Sequence, residues 1–149
     1  MLRSRDEDGR TPEAAVLLCL VTDILCEEYA SFRRLAPRGV IYDAAFIGFA
    51  RGAYARYEDW QHPYVSPSRG DLRGLPPCLI LAGTADPLID DNRAFARKLR
   101  QAGNLDVTLH AAVDMDHGYY FFLGLLPEED RAVQEIVRFL RRVLQIPEV

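Results

Sequence analysis

Two side chains suited to work together as an acid and a base, Asp86 and His117, lie in one continuous stretch of this sequence. Asp86 follows a short apolar run, residues 78–82, and His117 follows an alternating run, residues 106–112. A charged helical segment separates the runs, which predicts strand, acidic loop, helix, strand and histidine loop. Reactive groups of an open parallel sheet gather beyond the carboxyl ends of its strands. We therefore expect the carboxylate to orient the imidazole, as in a Ser-His-Asp triad.

Other histidines and carboxylates compete for these two roles. His62 lies in a proline-containing loop, and His110 lies within a strand pattern that is typical of a hydrogen-bonded structural histidine. Asp90 and Asp91 suit the N-cap of the following helix. None of the four stands directly after a predicted strand, so the acid–base pair remains the better interpretation.

A short acidic motif next to the predicted base suggests a metal as an alternative. Asp114, Asp116 and His117 form an Asp-x-Asp-His sequence. Hard cations need more oxygen ligands than this loop offers, and zinc sites usually draw their ligands from several elements. The sequence therefore predicts no metal-binding residue here.

The nucleophile of a triad is the part that this sequence does not contain. The nucleophile elbow is Gly-x-Ser-x-Gly on a tight strand-to-helix turn. Residues 66–70 (SPSRG) begin with serine instead of glycine, place Pro67 directly before Ser68, and follow no predicted strand. Ser4 and Ser31 have no glycine context, and no His-Gly-Gly turn offers oxyanion donors.

Composition limits the class of protein. The 149 residues suit one domain, with 49% hydrophobic and 27% charged residues. A net charge of −4 argues against nucleic acid or an anionic membrane as partner, and no apolar run approaches the ~20 residues of a membrane span. Residues 1–10 are too polar for a signal peptide. Cys19, Cys26 and Cys78 form no Cys-x-x-Cys pair, which predicts reduced, buried thiols in the cytoplasm.

The remaining elements follow from the order of apolar and polar segments. Residues 1–13 read as the tail of a helix and a turn, and residues 14–21 as a buried strand. A helix with a broad apolar face is predicted over residues 43–57, with Asp43 as its N-cap. Residues 78–149 then contain the strand–helix–strand–helix segment that carries the candidate acid and base.

Several motifs, in this order, resemble the hormone-sensitive-lipase-like branch of the α/β-hydrolases, the carboxylesterases related to bacterial acetyl and aryl esterases. The similar segments are residues 86–90 (DPLID), 94–103 (AFARKLRQAG) and 116–119 (DHGY), together with the loop at 65–77 and the strand at 14–23. The Asp-Pro-Leu sequence fits this branch better than the prolyl-oligopeptidase branch.

The resemblance implies a partial α/β-hydrolase fold, with the last three parallel strands, their flanking helices and no nucleophile half. Residues 2–9 resemble the tail of the nucleophile helix. Family members carry Gly-Asp-Ser-Ala-Gly a short way upstream of the position of Leu2, and His-Gly-Gly further upstream. We therefore expect a hydrolase sequence that is cut within this helix.

The resemblance also implies the roles of individual residues. Asp86 would be the triad acid and His117 the general base, while Leu88, Ile89 and Tyr119 would border the acyl or alcohol pocket. The complete enzyme would need no metal or organic cofactor. It would act on small to medium acyl esters, and the isolated chain is expected to be inactive.

A second interpretation is a non-catalytic remnant or interaction module. Half of such a sheet would expose an unpaired strand edge and an apolar face. This surface would favour a homodimer, or docking on a partner that carries the nucleophile.

Overall fold

The chain folds into a three-stranded parallel sheet with helices on both faces. The computed structural model describes residues 1–39, 42–121 and 124–147. The elements are α1 (Leu2–Asp8), β1 (Ala15–Leu18), α2 (Ala30–Leu35), α3 (Ala44–Tyr54), β2 (Cys78–Gly83), α4 (Ile89–Gln101), β3 (Val107–Ala112) and α5 (Pro127–Leu144). Among the residues described, no helix combines the length and apolar character that a membrane crossing requires.

Strand β2 is the centre of the sheet, between β1 and β3. All six of its residues are buried, because helices cover the strand on both faces. A strand in such a position is apolar throughout. Its side chains alternate between two cores. Ile80 packs with Phe95 and Leu99 of α4, whereas Leu81 packs with Phe139 of α5. The apolar run at residues 78–82 is thus the middle layer of the molecule.

The pairing register brings the ends of β2 and β3 to the same level. Cys78 pairs with Val107 at one end, and Gly83 pairs with Ala112 at the other. Helix α4 is the crossover that parallel pairing of these strands requires. The loops that follow the two strands therefore leave the sheet side by side.

Two elements are shorter than their sequence patterns predict. β1 ends at Leu18 instead of residue 21, because Cys19 has a φ of 41° and leaves the extended conformation. α3 ends at Tyr54 instead of residue 57. Asp43 caps this helix as predicted, since its side chain accepts the Phe46 N–H at 2.7 Å.

The predicted N-cap at Asp90 or Asp91 is wrong. Leu88 occupies the N-cap position of α4 and makes no side-chain cap hydrogen bond. Asp90 instead accepts the N–H of Ser31 at 2.9 Å, and Asp91 accepts the N–H of Thr22 at 2.7 Å. Both carboxylates therefore hold segments from far earlier in the chain, the start of α2 and the loop at Thr22, against the first turn of α4.

We predict that Gly83→Ala destabilises the fold because the loop after β3 crosses directly over Gly83. A Cβ atom at Gly83 would lie 1.9 Å from the Met115 carbonyl oxygen, which belongs to the backbone. The free energy of unfolding, measured with urea, should fall by about 3 kcal/mol. Gly52→Ala in α3 is the matched control, since a Cβ there meets nothing within 4 Å. Gly52→Ala should raise the free energy of unfolding by about 0.5–1 kcal/mol. Equal effects of the two variants would show that the loop after β3 does not pass directly over Gly83.

Candidate active site

Asp86 and His117 meet at the carboxyl edge of the sheet. The His117 Nδ1 atom lies 3.1 Å from Asp86 Oδ2. The Asp86 side chain is fully buried, whereas 19% of the His117 side chain remains exposed. The second carboxylate oxygen, Oδ1, accepts the Leu88 N–H at 2.8 Å. Both oxygens therefore have partners, as a buried carboxylate requires.

Backbone hydrogen bonds join the two loops that carry this pair. Thr84 N–H donates to the Ala112 carbonyl at 2.8 Å, and Ala85 N–H donates to the Met115 carbonyl at 3.0 Å. In return, the Asp114 N–H donates to Thr84 Oγ1 at 2.8 Å. The position of the imidazole is therefore set by the end of the neighbouring strand.

Tyr42 covers one face of the imidazole. Its ring is stacked on His117 with centroids 4.2 Å apart and an interplanar angle of 17°. Burial raises the pKa of the Tyr42 phenol above its usual value, so the ring is neutral at physiological pH. Sequence reasoning missed Tyr42, because an aromatic residue in an irregular segment gives no signal of a partner far along the chain.

Cys19 lies against the same pair. Its Sγ accepts the Gly118 N–H at 3.4 Å, and one donor atom from each of Cys19, Asp86 and His117 lies within 4.8 Å of the others. Burial raises the pKa of the thiol to about 11. All three cysteines are free and buried, as predicted, but the location of Cys19 beside the imidazole was not foreseen.

The first turn of α4 holds the segment after Cys19. Asp91 accepts both the N–H and the hydroxyl of Thr22. Asn92 brackets Leu20, donating to its carbonyl at 2.9 Å and accepting its N–H at 3.2 Å. Burial raises the pKa of the Asp91 carboxyl to about 6, although the hydrogen bonds from Thr22 oppose this shift.

An apolar cavity of about 360 Å³ adjoins the stacked tyrosine. Its lining is mostly aliphatic and aromatic and includes Val21, Ile24, Tyr42, Ile47, Tyr54 and Val65. Because Tyr42 touches both the cavity and His117, a molecule in the cavity would lie close to the imidazole.

The three residues expected to border a pocket are buried and do not line this cavity. Leu88 and Ile89 have no exposed surface, and Tyr119 is 1% exposed. Leu88 packs in one apolar cluster with the cavity-lining Ile47. Tyr119 instead belongs to the core that contains Leu81. Leu88 is therefore the member of this set that supports the cavity wall from behind.

The other candidate histidines lie apart from the pair. His62 is exposed, and its Nδ1 accepts the Tyr64 N–H at 3.1 Å within a loop. His110 is half-buried within β3, where it pairs with Leu81 of β2. Neither has a carboxylate partner among the hydrogen bonds of the described residues.

None of the buried serines occupies a strand-to-helix turn. Ser31 donates to the Pro87 carbonyl and Ser66 to the Trp60 carbonyl, so both hydroxyls have structural roles. Ser68 lies in the short turn Pro67–Arg69 and is 3% exposed. Ser4 lies within α1, so among the residues that the structure describes no serine has the geometry of a nucleophile elbow.

Comparison with known proteins identifies the class of fold. A family model described as the alpha/beta hydrolase fold matches residues 1–121. The chain therefore belongs to the α/β-hydrolase fold family, and the three parallel strands with flanking helices are a partial version of that fold.

Individual relatives narrow the assignment to the hormone-sensitive-lipase-like esterases. An acetyl-hydrolase of Streptomyces hygroscopicus is 36% identical over 137 residues, which covers 92% of this chain and 45% of the relative. Hormone-sensitive lipase of Bos taurus is 40% identical over 90 residues, or 58% of this chain and 12% of the lipase. The resemblance seen in the sequence is confirmed.

Solved structures agree with this assignment. A hormone-sensitive lipase from a metagenome library superposes with a TM-score of 0.89 at 26% identity and covers 96% of this chain and 48% of that one. The esterase of Pyrobaculum calidifontis gives a TM-score of 0.87 at 25% identity, and the match covers 96% of this chain and 47% of that one. The chain spans about half the length of the acetyl-hydrolase and of these solved structures.

We predict that Asp91 makes the stability of the chain depend on pH. Its carboxyl pKa is about 6 in the folded state against a reference of 3.8, so the folded state favours the protonated acid. The neutral Asp91 carboxyl therefore contributes to the free energy of unfolding below about pH 4. This contribution is lost as the pH rises through about 6. The isosteric Asp91→Asn variant stays neutral throughout.

The test is the free energy of unfolding of both proteins, measured with urea at about pH 4 and about pH 7. Between these values, the wild type should lose about 2 kcal/mol relative to Asp91→Asn. A difference that stays constant with pH would show that the buried carboxyl is not the titrating group.

Proposed function

We propose that this chain supplies the acid and the base of a carboxylic ester hydrolase of the serine type. Asp86 is the acid that orients the imidazole, and His117 is the general base. The observation that carries the proposal is the 3.1 Å contact between Asp86 Oδ2 and His117 Nδ1, with 19% of the His117 side chain exposed. Family membership supports it, since esterases and lipases are prominent among the relatives.

The proposed chemistry depends on which nitrogen of the His117 imidazole contacts Asp86. With Nδ1 held by the carboxylate, Nε2 takes the proton from an attacking serine hydroxyl and later returns it to the leaving alcohol. The Asp86 carboxylate stabilises the imidazolium formed in between. Its burial and its bond from Leu88 keep it aimed at Nδ1.

Small to medium acyl esters are the substrates we propose for the complete enzyme. The cavity beside Tyr42 is apolar and, at about 360 Å³, has room for a short acyl chain. Leu88 would influence this specificity from behind the cavity wall. Ile89 and Tyr119 would do so only indirectly, through the packing of buried residues. We also propose the cytoplasm as the location, because the three free, buried thiols suit a reducing compartment.

The isolated chain should have almost no esterase activity. Acid and base activate nothing without a nucleophile, and this sequence contains neither Gly-x-Ser-x-Gly nor a His-Gly-Gly turn. The purified chain should hydrolyse p-nitrophenyl butyrate no faster than its own His117→Gln variant. Turnover that Ser68→Ala abolishes would overturn this account of the missing serine.

A chimera tests the acid and base roles directly. This chain would replace the matched segment of the S. hygroscopicus acetyl-hydrolase, and p-nitrophenyl acetate hydrolysis would be measured. Asp86→Asn and His117→Gln should each lower kcat by about 10³-fold or more, as removal of triad members does. Ser68→Ala is the matched control and should leave kcat unchanged. A folded, active chimera that tolerates either of the first two changes would refute the proposal.

A specific surface favours the alternative role as an interaction module. α3 exposes two large aromatic side chains, with 75% of Phe49 and 69% of Tyr54 accessible. Surface helices normally present charged or polar side chains to water. Self-association through α3 is the form of this alternative that we put forward.

Sedimentation velocity separates the two oligomeric states. If α3 is an interface, the wild type should sediment as a species heavier than its 16.9 kDa monomer, and Phe49→Glu should restore the monomer. Tyr57→Glu is the matched control, because Tyr57 is 78% exposed but lies outside α3. A wild type that remains monomeric at about 0.1 mM, a concentration at which weak non-obligate pairs associate, would exclude this alternative.

A further inference from the structure

We propose that Cys19, Asp86 and His117 form a binding site for a thiophilic divalent cation, with Zn²⁺ as the ion that fits it. One donor atom from each residue, a thiol sulfur, a carboxylate oxygen and an imidazole nitrogen, lies within 4.8 Å of the other two. Thiolate, carboxylate and imidazole are the three ligand types that zinc takes in proteins. The site differs from the Asp-x-Asp-His motif, because Asp114 and Asp116 take no part in it.

The spacing of the donors is close to what zinc needs. Bond lengths of about 2.0–2.3 Å in a tetrahedral arrangement place neighbouring ligand atoms about 3.4–3.6 Å apart. Closing the present cluster around an ion therefore requires side-chain movements of about 1 Å. Three protein ligands leave the fourth position to water, which is the pattern of an open zinc site.

The donors come from the ends of three different strands. Cys19 follows β1, Asp86 follows β2 and His117 follows β3, so the sheet register itself assembles the site. Sites built from several elements are typical of zinc. The ligand set is thus positioned by the ends of the three paired strands.

The backbone at Cys19 fixes the position of its thiol beside the other two donors. Its φ of 41° is rare for a residue with a side chain, and the surrounding structure maintains it. Its N–H donates to the Leu81 carbonyl at 2.8 Å, while its Sγ accepts the Gly118 N–H. The thiol is therefore held against the acid–base pair by a conformation that no local sequence preference explains.

Metal binding would change the protonation of the site. The Cys19 thiol gives its proton to solvent as the Zn–S bond forms. The imidazole donates the lone pair of one ring nitrogen to the ion and carries its single proton on the other ring nitrogen. The ion also takes a carboxylate oxygen of Asp86, which weakens or replaces the Asp86–His117 hydrogen bond. Given the proposed hydrolase function, the same ion would act as an inhibitor; the binding itself does not depend on that function.

Cobalt provides a direct test on the purified full chain, reduced and freed of metal. Titration with Co²⁺ should yield one ion per chain, with the near-ultraviolet charge-transfer absorption of a cobalt–thiolate bond. Zn²⁺ should displace it, whereas Mg²⁺ should not, because Mg²⁺ prefers oxygen ligands. Absence of thiolate charge transfer at saturating Co²⁺ would overturn the proposal.

Matched variants locate the site. Cys19→Ser should abolish the charge-transfer absorption and weaken Zn²⁺ binding by at least about tenfold. His117→Gln should retain a thiol but lower the affinity by a similar factor. Cys26→Ser is the control, because Cys26 is equally buried but packs in the cluster of Phe32 and Leu88.

Circular dichroism establishes that each variant is folded. If Cys19→Ser does not fold, the Co²⁺ and Zn²⁺ titrations are made on Cys19→Ala and His117→Gln instead. Absorption that persists in a folded Cys19 variant, or that disappears in folded Cys26→Ser, would show that the cation binds elsewhere. These readouts require no esterase activity, so a failure of the hydrolase proposal would leave them intact.

Discussion

The parallel register between β2 and β3 is the constraint on which the rest of this structure depends. It ends the two strands at the paired residues Gly83 and Ala112, so that the following loops run side by side. A shift of one residue would displace the loops by about 3.3 Å and turn every β3 side chain to the opposite face. The two apolar cores on either side of β2 prevent such a shift. The packing that fixes the register of the sheet therefore also places Asp86 against His117.

The carboxyl edge of the sheet contains a buried carboxylate, that of Asp86. Asp86 has no contact with solvent, and its two oxygens are satisfied by His117 and by the Leu88 N–H. A charge in such a place is tolerated only with good partners. The pair therefore joins the two loops and fixes the orientation of the imidazole. Tyr42 and Cys19 enclose it on further sides, which limits access to water.

The limits of sequence reasoning are clearest at the start of α4. Acidic residues before a helix predict an N-cap, and the prediction succeeds at Asp43, where the partner N–H lies three residues away. It fails at Asp90 and Asp91, whose partners, Ser31 of α2 and Thr22 of a loop, lie far earlier in the chain. Both helices have aspartate at or next to their first residues. What separates them is which backbone donors the tertiary structure brings within reach, and no local pattern contains that information.

The sequence by itself determined the strand–helix–strand segment, the carboxyl-edge positions of Asp86 and His117, and the absence of a nucleophile elbow. Hydrophobic periodicity reports burial within one element, and motif spacing reports where an element ends. Only the tertiary structure decided that Tyr42 stacks on the imidazole, that Cys19 joins the acid–base pair and that Leu88 lies behind the cavity. Those contacts join residues distant along the chain. Packing of the whole domain selects them, because each depends on the shape and donors of several elements at once.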